Sequence, residues 1–325
     1  MPTLTRYIIH RLAQAIGVLW AAYTVSFLVL YALPGDPARL IAGPDATDIT
    51  PAQLDALRAE FGLDKPLIVQ YFDRLVGLLR GDLGQSLPTG RPVADLIGEA
   101  LPSTIQIAAL GLLLAILFGA GLAILATFSR NQALSRLLLS LPPLGVAVPG
   151  FWFALLLIQW FSFGIPLFPA VGNVGFASTV LPAITLALPT GATIAQLLSK
   201  SLANTLREPY IDTVRAKGAG PARVHFRHAL RNAALPALTV TGLIVGQLLS
   251  GTVVAETVFS RPGLGRVTAT AVAQQDIPLV QGIVLFAAAV FVLTNLLVDL
   301  IYPLLDPRIV IARRRPAPAP IGVTP

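Results

Sequence analysis

Five stretches of the sequence contain no Asp, Glu, Lys or Arg, and their lengths restrict the chain to one class of fold. These stretches are Leu12–Gly35, Ala100–Ser129, Leu137–Ser199, Asn232–Ala255 and Ile277–Val298. A helix that crosses a membrane needs about 20 mostly apolar residues. Four stretches have room for one such helix, and the long third stretch needs two, with breaks near Gly164–Pro166 and Asn173–Gly175. The pattern therefore predicts an all-α integral membrane protein with six spans and both termini on one side.

The composition agrees with this prediction. The chain has 325 residues, of which 55% are apolar and 12% are charged, and its mean hydropathy is +0.75. A water-soluble domain does not need so large an apolar fraction. The first apolar stretch exceeds the roughly 7–15 residues of a signal-peptide core, and no small-residue cleavage site follows it. We therefore expect it to be retained as the first span.

The distribution of Lys and Arg predicts the orientation of the spans. With the N-terminus inside, the segments on that side carry 15 of the 23 basic residues. The short loops on the other side carry only Arg261 and Arg266. Both termini are therefore expected in the cytoplasm by the positive-inside rule. This rule also explains the net charge of +7, so we do not expect a nucleic-acid partner.

The segment between the first two spans, residues 34–99, has the pattern of two capped helices. Thr50 and Gln53 flank Pro51 as a capping box, and Gly62 is placed to end the first helix. Its apolar face comprises Leu54, Leu57 and Phe61. The second helix is expected between Pro66 and Gly81, with an apolar stripe of Ile68, Tyr71, Phe72, Leu75 and Leu79. We interpret the segment as a small extracytoplasmic subdomain lying against the membrane or the span mouths; the alternative is a plain linker.

Proline is unusually frequent in the third and fourth spans. The positions are Pro142, Pro143, Pro149, Pro182 and Pro189, with Gly150 beside the third of them. Proline inside a span frees backbone carbonyls, which must then face protein or a wet cavity. Two interpretations stay open. The kinks are either ordinary packing features or part of a translocation pathway lined by Pro149, Gly150, Pro182 and Pro189.

The sequence lacks the motifs of an enzyme. It has no phosphate-binding loop, no nucleophile elbow and no zinc-protease motif, and it has no cysteine. His225 and His228 are spaced to share a helical face, but the arginines around them disfavour a metal cation. Asp299, near the inner end of the last span, is the only candidate for an ionisable residue within a span, and we expect it to lie at the membrane interface. If the chain moves a solute uphill, it has neither a nucleotide site nor a buried titratable relay to drive the movement, and the energy must come from another chain.

A basic segment between the fourth and fifth spans breaks the apolar pattern. From Arg207 to Arg231 it carries six Lys or Arg and two acids. Eight charges in hydrocarbon would cost on the order of 20 kcal/mol, so the segment must lie outside the membrane. Pro209 can open a helix of about eight residues that Gly218 ends in a left-handed conformation. So short a helix is unstable alone, which favours a docking element over a solvated loop.

A second basic helix is expected from Pro221, running into the fifth span at Pro236. Together, "YIDTVRAKGAG" and "RHALRNAALP" resemble the cytoplasmic coupling loop of type I ABC importer permeases of the dipeptide/oligopeptide/nickel family. Five further segments match this family in order. They are "ALPGDPA", "FGLDKPLIVQYFDRLVGLLRGDLGQSL", "LPSTIQIAALG", "VVAETVFSRPGLG" and "DLIYPLLDPR".

The resemblance implies a division of the chain and a set of contact residues. Residues 1–33 would form the N-terminus and first span, 34–99 the external subdomain, 100–305 a five-helix core with a coupling loop at 201–235, and 306–325 a disordered cytoplasmic tail. Asp212 takes the family's acidic position, and Thr213 and Val214 replace its two alanines. The residues implied to contact an ATPase are Tyr210, Asp212, Thr213, Arg215, Ala216, Lys217 and Gly218.

The resemblance also implies the partners. They are a second, similar permease, two cytoplasmic ATPases that bind ATP and Mg²⁺, an external solute-binding protein and membrane lipid; the chain itself would hold no cofactor or metal. By position, the external helices and the Glu256–Gly265 loop are candidates for contact with the binding protein. The alternatives are a self-sufficient transporter or channel, an intramembrane enzyme and a structural anchor. None of them accounts for both the capped basic helix and the missing catalytic groups.

Overall fold

The computed structural model describes residues 2–31, 50–60, 64–234, 236 and 241–305, and every regular element in these ranges is a helix. The first six are α1 (Pro2–Tyr31), α2 (Pro51–Glu60), α3 (Leu67–Leu79), α4 (Val93–Phe128), α5 (Gln132–Ala147) and α6 (Gly150–Ile158, continued by a π-helical turn at Gln159–Gly164). Next come α7 (Ala177–Thr205), α8 (Pro209–Ala216) and α9 (Pro221–Arg223, continued through a π-helical turn at Val224–Ala229 to Leu230–Ala233). The last three are α10 (Thr241–Val258), α11 (Leu264–Ala273) and α12 (Ile277–Leu305).

Each of the six predicted spans contains a helix. α1, α4, α7 and α12 are individually long and apolar enough to cross a membrane. α5 and α6 meet this criterion together, with a bend of 100° between them. α10 contributes a shorter apolar stretch, Ile244–Val258. The chain is therefore an all-α membrane protein. The entry to the fifth span at residues 235 and 237–240, the tail 306–325 and the side chain of Asp299 lie outside the described residues.

The helices of the predicted external subdomain form at the expected places. Thr50 and Gln53 make the capping box: the Thr50 N–H donates to Gln53 Oε1 at 2.9 Å, and the Gln53 N–H donates to Thr50 Oγ1 at 3.4 Å. Gly81 ends the second helix with a φ of +85°. Phe61 and Gly62, assigned to the first helix and its end, lie outside the described residues.

The helix that contains the second span begins earlier than the charges suggested. α4 starts at Val93, so the boundary predicted at residues 99 and 100 falls inside a continuous helix. Val93 and Ile97 are buried in a cluster with Leu264, Leu279 and Ile283 from α11 and α12. This packing supports the first two turns of α4 although they contain acidic residues, because those acids lie on the exposed side.

α4 and α7 pack closely against each other and form the centre of the bundle. Their contact is made by small residues: a Cβ on Gly119 would lie 2.4 Å from the Gly191 carbonyl oxygen, and a Cβ on Gly191 would lie 3.1 Å from the Ala115 carbonyl oxygen. Small residues let helix backbones approach in membranes, where apolar burial alone does not drive association. We call this pair of helices the α4–α7 spine.

The Glu256–Gly265 loop, the candidate for contact with a binding protein, is only partly exposed. Its charged side chains Glu256 and Arg261 are both 0% exposed, whereas Thr257 and Pro262 are exposed. The Glu256 carboxylate accepts hydrogen bonds from Thr104 Oγ1 at 2.7 Å and from the backbone N–H of Gly265 at 2.6 Å. Arg261 Nη1 donates to Ser178 Oγ at 2.8 Å. These two side chains therefore join α10, α11 and both helices of the spine, and they offer no surface to a partner.

Candidate docking helix

α8 is the short basic-segment helix that the sequence predicts, and its ends have the expected geometry. It spans Pro209–Ala216 with proline in its first turn. Beyond it, Gly218 adopts a φ of +82°. The Gly218 N–H donates to the Arg215 carbonyl at 2.9 Å, and the Ala219 N–H donates to the Val214 carbonyl at 3.3 Å. This pair of bonds is a Schellman motif, which satisfies the last carbonyls of the helix and needs a left-handed residue that glycine supplies without strain.

One side chain attaches α8 to the bundle. Ile211 is 0% exposed, and Val214 is partly buried beside it. Ile211 belongs to a buried cluster whose other members are Ala123 of α4, Leu198 and Leu202 of α7, and Val224, Ala229 and Ala233 of α9. The cluster lies at one end of the spine. A displacement of α8 therefore acts directly on the ends of two membrane helices.

Tyr210 makes a second attachment, to α9. Its hydroxyl donates to the His228 carbonyl at 3.2 Å and accepts from Asn232 Nδ2 at 2.9 Å. The two bonds lie on the polar edge of α8 and are themselves exposed. They fix the angle between α8 and α9, while Ile211 fixes how deeply α8 is buried against α4, α7 and α9.

The predicted contact residues form one exposed surface. All seven are exposed: Tyr210, Asp212, Thr213, Arg215, Ala216, Lys217 and Gly218. Asp212 and Arg215 make an ion pair at 3.2 Å, with 76% and 54% of their side chains exposed. An exposed pair of this kind contributes little to stability. Its polar atoms thus remain accessible on the surface of α8.

His225 holds α9 against the end of α4. It is buried, its ring lies 5.4 Å from that of Phe128, and its Nε2 lies 3.3 Å from Thr127 Oγ1. Burial lowers the pKa of His225, because the apolar surroundings disfavour the charged ring.

No group of three or more His, Cys, Asp or Glu is placed to hold a metal ion among residues 2–31, 50–60, 64–234, 236 and 241–305.

The predicted pathway residues separate into two pairs. Pro149 and Gly150 lie together at the 100° bend between α5 and α6. Pro182 and Pro189 lie within the continuous helix α7. Pro182 is fully buried among protein atoms, so its side chain does not border an open pathway in this conformation.

Ile211 and Val214 were not singled out from the sequence, although a signal was present. They are the two apolar residues three apart in "YIDTVRA", the spacing of one helical face. The burial of Glu256 and Arg261 had no comparable local signal, since their partners are distant in the sequence.

Comparison with known proteins agrees with the geometry. Residues 111–311 match the family described as the inner membrane component of binding-protein-dependent transport systems, and residues 4–108 match the N-terminal part of such components. A Brucella abortus protein named as a peptide transport system permease is 39% identical over 314 residues, which cover 94% of this chain and 99% of the relative. The glutathione transport system permease GsiC of Escherichia coli is 38% identical over 304 residues, covering 93% and 98%. A peptide ABC transporter permease of Sinorhizobium fredii is 38% identical over 311 residues, again covering 93% and 98%.

Proposed function

The chain belongs to the family of inner membrane components of binding-protein-dependent transport systems, and on this premise we propose how it takes part in transport. It is the permease subunit of an ABC importer. It forms one half of a translocation pathway, and a second, similar permease forms the other half. Two ATPase subunits bind ATP and Mg²⁺ and hydrolyse the nucleotide, and an external binding protein delivers the solute.

The arrangement of α8 is the observation that supports this proposal most strongly. The helix exposes seven residues on one surface and is fastened through Ile211 to the ends of both spine helices. In the proposed mechanism this surface sits in a groove of an ATPase subunit. When the two ATPases close on ATP, α8 moves with them, and the spine converts that movement into a switch between inward-facing and outward-facing states.

Six exposed basic residues surround α8 and favour an acidic groove on the partner: Arg207, Arg215, Lys217, Arg223, Arg227 and Arg231. Charge complementarity mainly accelerates and orients such an encounter. With α8 at the ATPases, this end of the bundle is the cytoplasmic one, and both termini lie on that side. The bend at Pro149 and Gly150 is the proposed site of pathway reshaping.

The cargo is proposed from the relatives. The relatives compared above are named as permeases for peptides or glutathione. A short peptide, glutathione or a related small solute such as a nickel chelate is therefore the proposed substrate class for this chain. The binding protein, more than the permease, would determine which member of the class is taken up.

Site-directed crosslinking tests the docking of α8. The native sequence has no cysteine, so a Thr213→Cys variant carries one thiol, which can be labelled with a photoreactive maleimide in membranes containing the whole transporter. We expect irradiation to join the permease to an ATPase subunit, with the yield changing when a non-hydrolysable ATP analogue is added.

An Ala52→Cys variant is the matched control, because Ala52 is also exposed but lies in α2 of the external subdomain. It should give no ATPase adduct. An ATPase adduct from position 52 together with none from position 213 would show that the chain is oriented the other way or that α8 is not the docking element.

A further inference from the structure

α3 turns an apolar face away from the protein. Ile68, Phe72, Val76 and Leu79 are 68%, 55%, 45% and 80% exposed. Their spacing of four, four and three residues places them on one side of the helix. A water-soluble subdomain would bury such a stripe against its own core, so this orientation requires an apolar environment outside the chain.

Two polar residues of α3, Gln70 and Arg74, point toward the protein. Gln70 is only 7% exposed, and its Nε2 donates to the Lys65 carbonyl at 2.8 Å. Gln70 and Arg74 line a cavity of about 360 Å³ between α3 and α12, whose other wall includes Asp82 and Gln281. Gln70 and Arg74 thus face an open crevice, which the half-exposed Asp73 also borders, while Ile68, Phe72, Val76 and Leu79 face outward. α3 is inverted relative to a helix that packs a domain in water.

The contacts of α3 with α1 fix its height along a membrane span. Tyr71 packs on Tyr23 and Phe27, with ring centroids 5.1 and 5.3 Å apart, and the Tyr23 hydroxyl donates to the Tyr71 carbonyl at 2.6 Å. The apolar window of α1 extends to Leu30. At about 1.5 Å per residue, Tyr23 and Phe27 lie roughly 10 and 5 Å inside that limit. Tyr71 therefore lies level with the last turns of the span.

The turns of α1 that contact Tyr71 also carry exposed apolar residues. Val25, Leu28 and Val29, in the same turns of α1 that contact Tyr71, are 57–60% exposed. A spanning helix meets acyl chains at such a surface. An adjoining helix at the same level, with its apolar side outward, meets the same medium.

We propose that α3 is an interfacial helix that inserts its face of Ile68, Phe72, Val76 and Leu79 into the lipid of the membrane leaflet in which α1 ends. Amphipathic helices of this kind lie in the membrane plane with the apolar side about 5–10 Å below the headgroups. The helix then holds the external subdomain at a fixed height beside the span mouths, and a binding protein must approach over α2 or the loop that follows α3. The inference rests on the chain spanning a membrane and is independent of the cargo and of the docking of α8.

Spin-label accessibility of the whole transporter in lipid bilayers tests the proposal. Single cysteines are introduced by Ile68→Cys, Phe72→Cys or Val76→Cys and are labelled with a nitroxide, and collisions with oxygen and with a water-soluble nickel chelate are measured. Val25→Cys in α1 gives the lipid reference, and Ala52→Cys in α2 gives the water reference, since both native residues are exposed. Oxygen enters lipid and the nickel chelate does not, so the ratio of the two collision rates separates the environments.

For lipid insertion we expect the three α3 labels to resemble position 25, with an oxygen-to-nickel ratio at least several-fold above that of position 52. Two results would overturn the proposal. Ratios like that of position 52 would mean that the face is in water, and low accessibility to both reagents would mean that a protein partner covers it. Neither result would affect crosslinking from position 213, so this inference and the proposed function are tested separately.

Discussion

At the residue scale, Glu256 shows how a charge can lie inside this apolar chain. Three donors approach its carboxylate: Thr104 Oγ1 and the N–H groups of Gly265 and Arg266, at 2.6–3.2 Å. Gly263 makes room for it, because a Cβ at that position would lie 2.2 Å from the carboxyl carbon. A buried charge is tolerated when it is paired and its hydrogen bonds are made.

The Glu256→Gln substitution should therefore destabilise the fold. It removes the charge and places an amide NH₂ where the native carboxylate accepts hydrogen bonds on both oxygens, so at least one buried donor loses its acceptor. An unsatisfied buried group costs about 1–3 kcal/mol. The measurement is the thermal unfolding midpoint of the purified chain in detergent, which should fall by several degrees.

Glu99→Gln is the control for this effect. Glu99 pairs with Arg91, but 63% of the Glu99 side chain is exposed. The unfolding midpoint of this variant should stay at the wild-type value. Equal midpoints for the two glutamine variants would mean that the buried bonds of Glu256 do not stabilise the native chain.

At the scale of single elements, α8 depends on tertiary contact for its existence. A helix of eight residues is well below the length that is stable alone in water. Its caps define where it starts and stops, and the burial of Ile211 supplies the packing that keeps it folded. The docking surface should therefore be lost when Ile211 is truncated, even though Ile211 contributes no surface to it.

An Ile211→Ala variant should loosen α8 without unfolding the spans. Truncating a buried Ile to Ala costs about 2–5 kcal/mol. Here that cost weakens the packing of α8 on the buried cluster of α4, α7 and α9. Hydrogen exchange followed by mass spectrometry should show faster exchange at residues 209–219 and little change in α4 and α7. Transport-coupled ATP hydrolysis in the assembled complex should fall with it.

Thr213→Ala is the control that distinguishes the buried packing of α8 from its exposed surface. Thr213 is exposed on the same helix, so its truncation should leave hydrogen exchange at the wild-type rate. Hydrogen exchange at residues 209–219 of the Ile211→Ala variant that stayed at the wild-type rate would contradict the assignment of Ile211 as the side chain that holds α8 in place.

How well the sequence predicted each element depended on whether its signals are local. The bounds of α8 followed from Pro209 and Gly218, because proline and glycine restrict the backbone at their own positions. The start of α4 was misplaced because its first turns are supported by α11 and α12, far away in the sequence. For α3, the sequence predicted an apolar stripe lying against the membrane or the span mouths. The structure divides that stripe, because Tyr71 packs on α1 and is partly buried with Leu75, while Ile68, Phe72 and Leu79 are exposed.

At the scale of the whole molecule, the spine connects the two regions described above. At one end, Ile211 of α8 is buried in a cluster with Ala123, Leu198 and Leu202. At the other, Thr104 binds Glu256 and Ser178 binds Arg261. Between these ends, Gly111 and Gly119 of α4 pack closely against Leu186, Gly191 and Ile194 of α7. The two helices should therefore move as one rigid unit. A displacement of α8 would then be transmitted to the opposite end of the spine, near Glu256 and Arg261.

A Gly119→Ala substitution tests the spine in its middle. The added Cβ would lie 2.4 Å from the Gly191 carbonyl oxygen and 3.0 Å from Ile194 Cβ. Neither neighbour can turn away cheaply, because the first is backbone and the second is a branch point, so the helices must separate. Overpacking of this kind costs about 1–3 kcal/mol. We expect a lower unfolding midpoint and, in reconstituted complexes, fewer solute molecules transported per ATP hydrolysed.

Gly121→Ala, two residues further along α4, is the matched control, because a Cβ there meets nothing within 4 Å. Alanine is favoured over glycine in a helix by about 1 kcal/mol, so this variant should unfold at or slightly above the wild-type midpoint and transport normally. If the two variants behaved alike, close contact between α4 and α7 would not govern stability or coupling. The Gly119→Ala variant could instead have a lower unfolding midpoint and unchanged transport per ATP. The spine would then stabilise the structure but would not couple movement of α8 to the opposite end of the bundle.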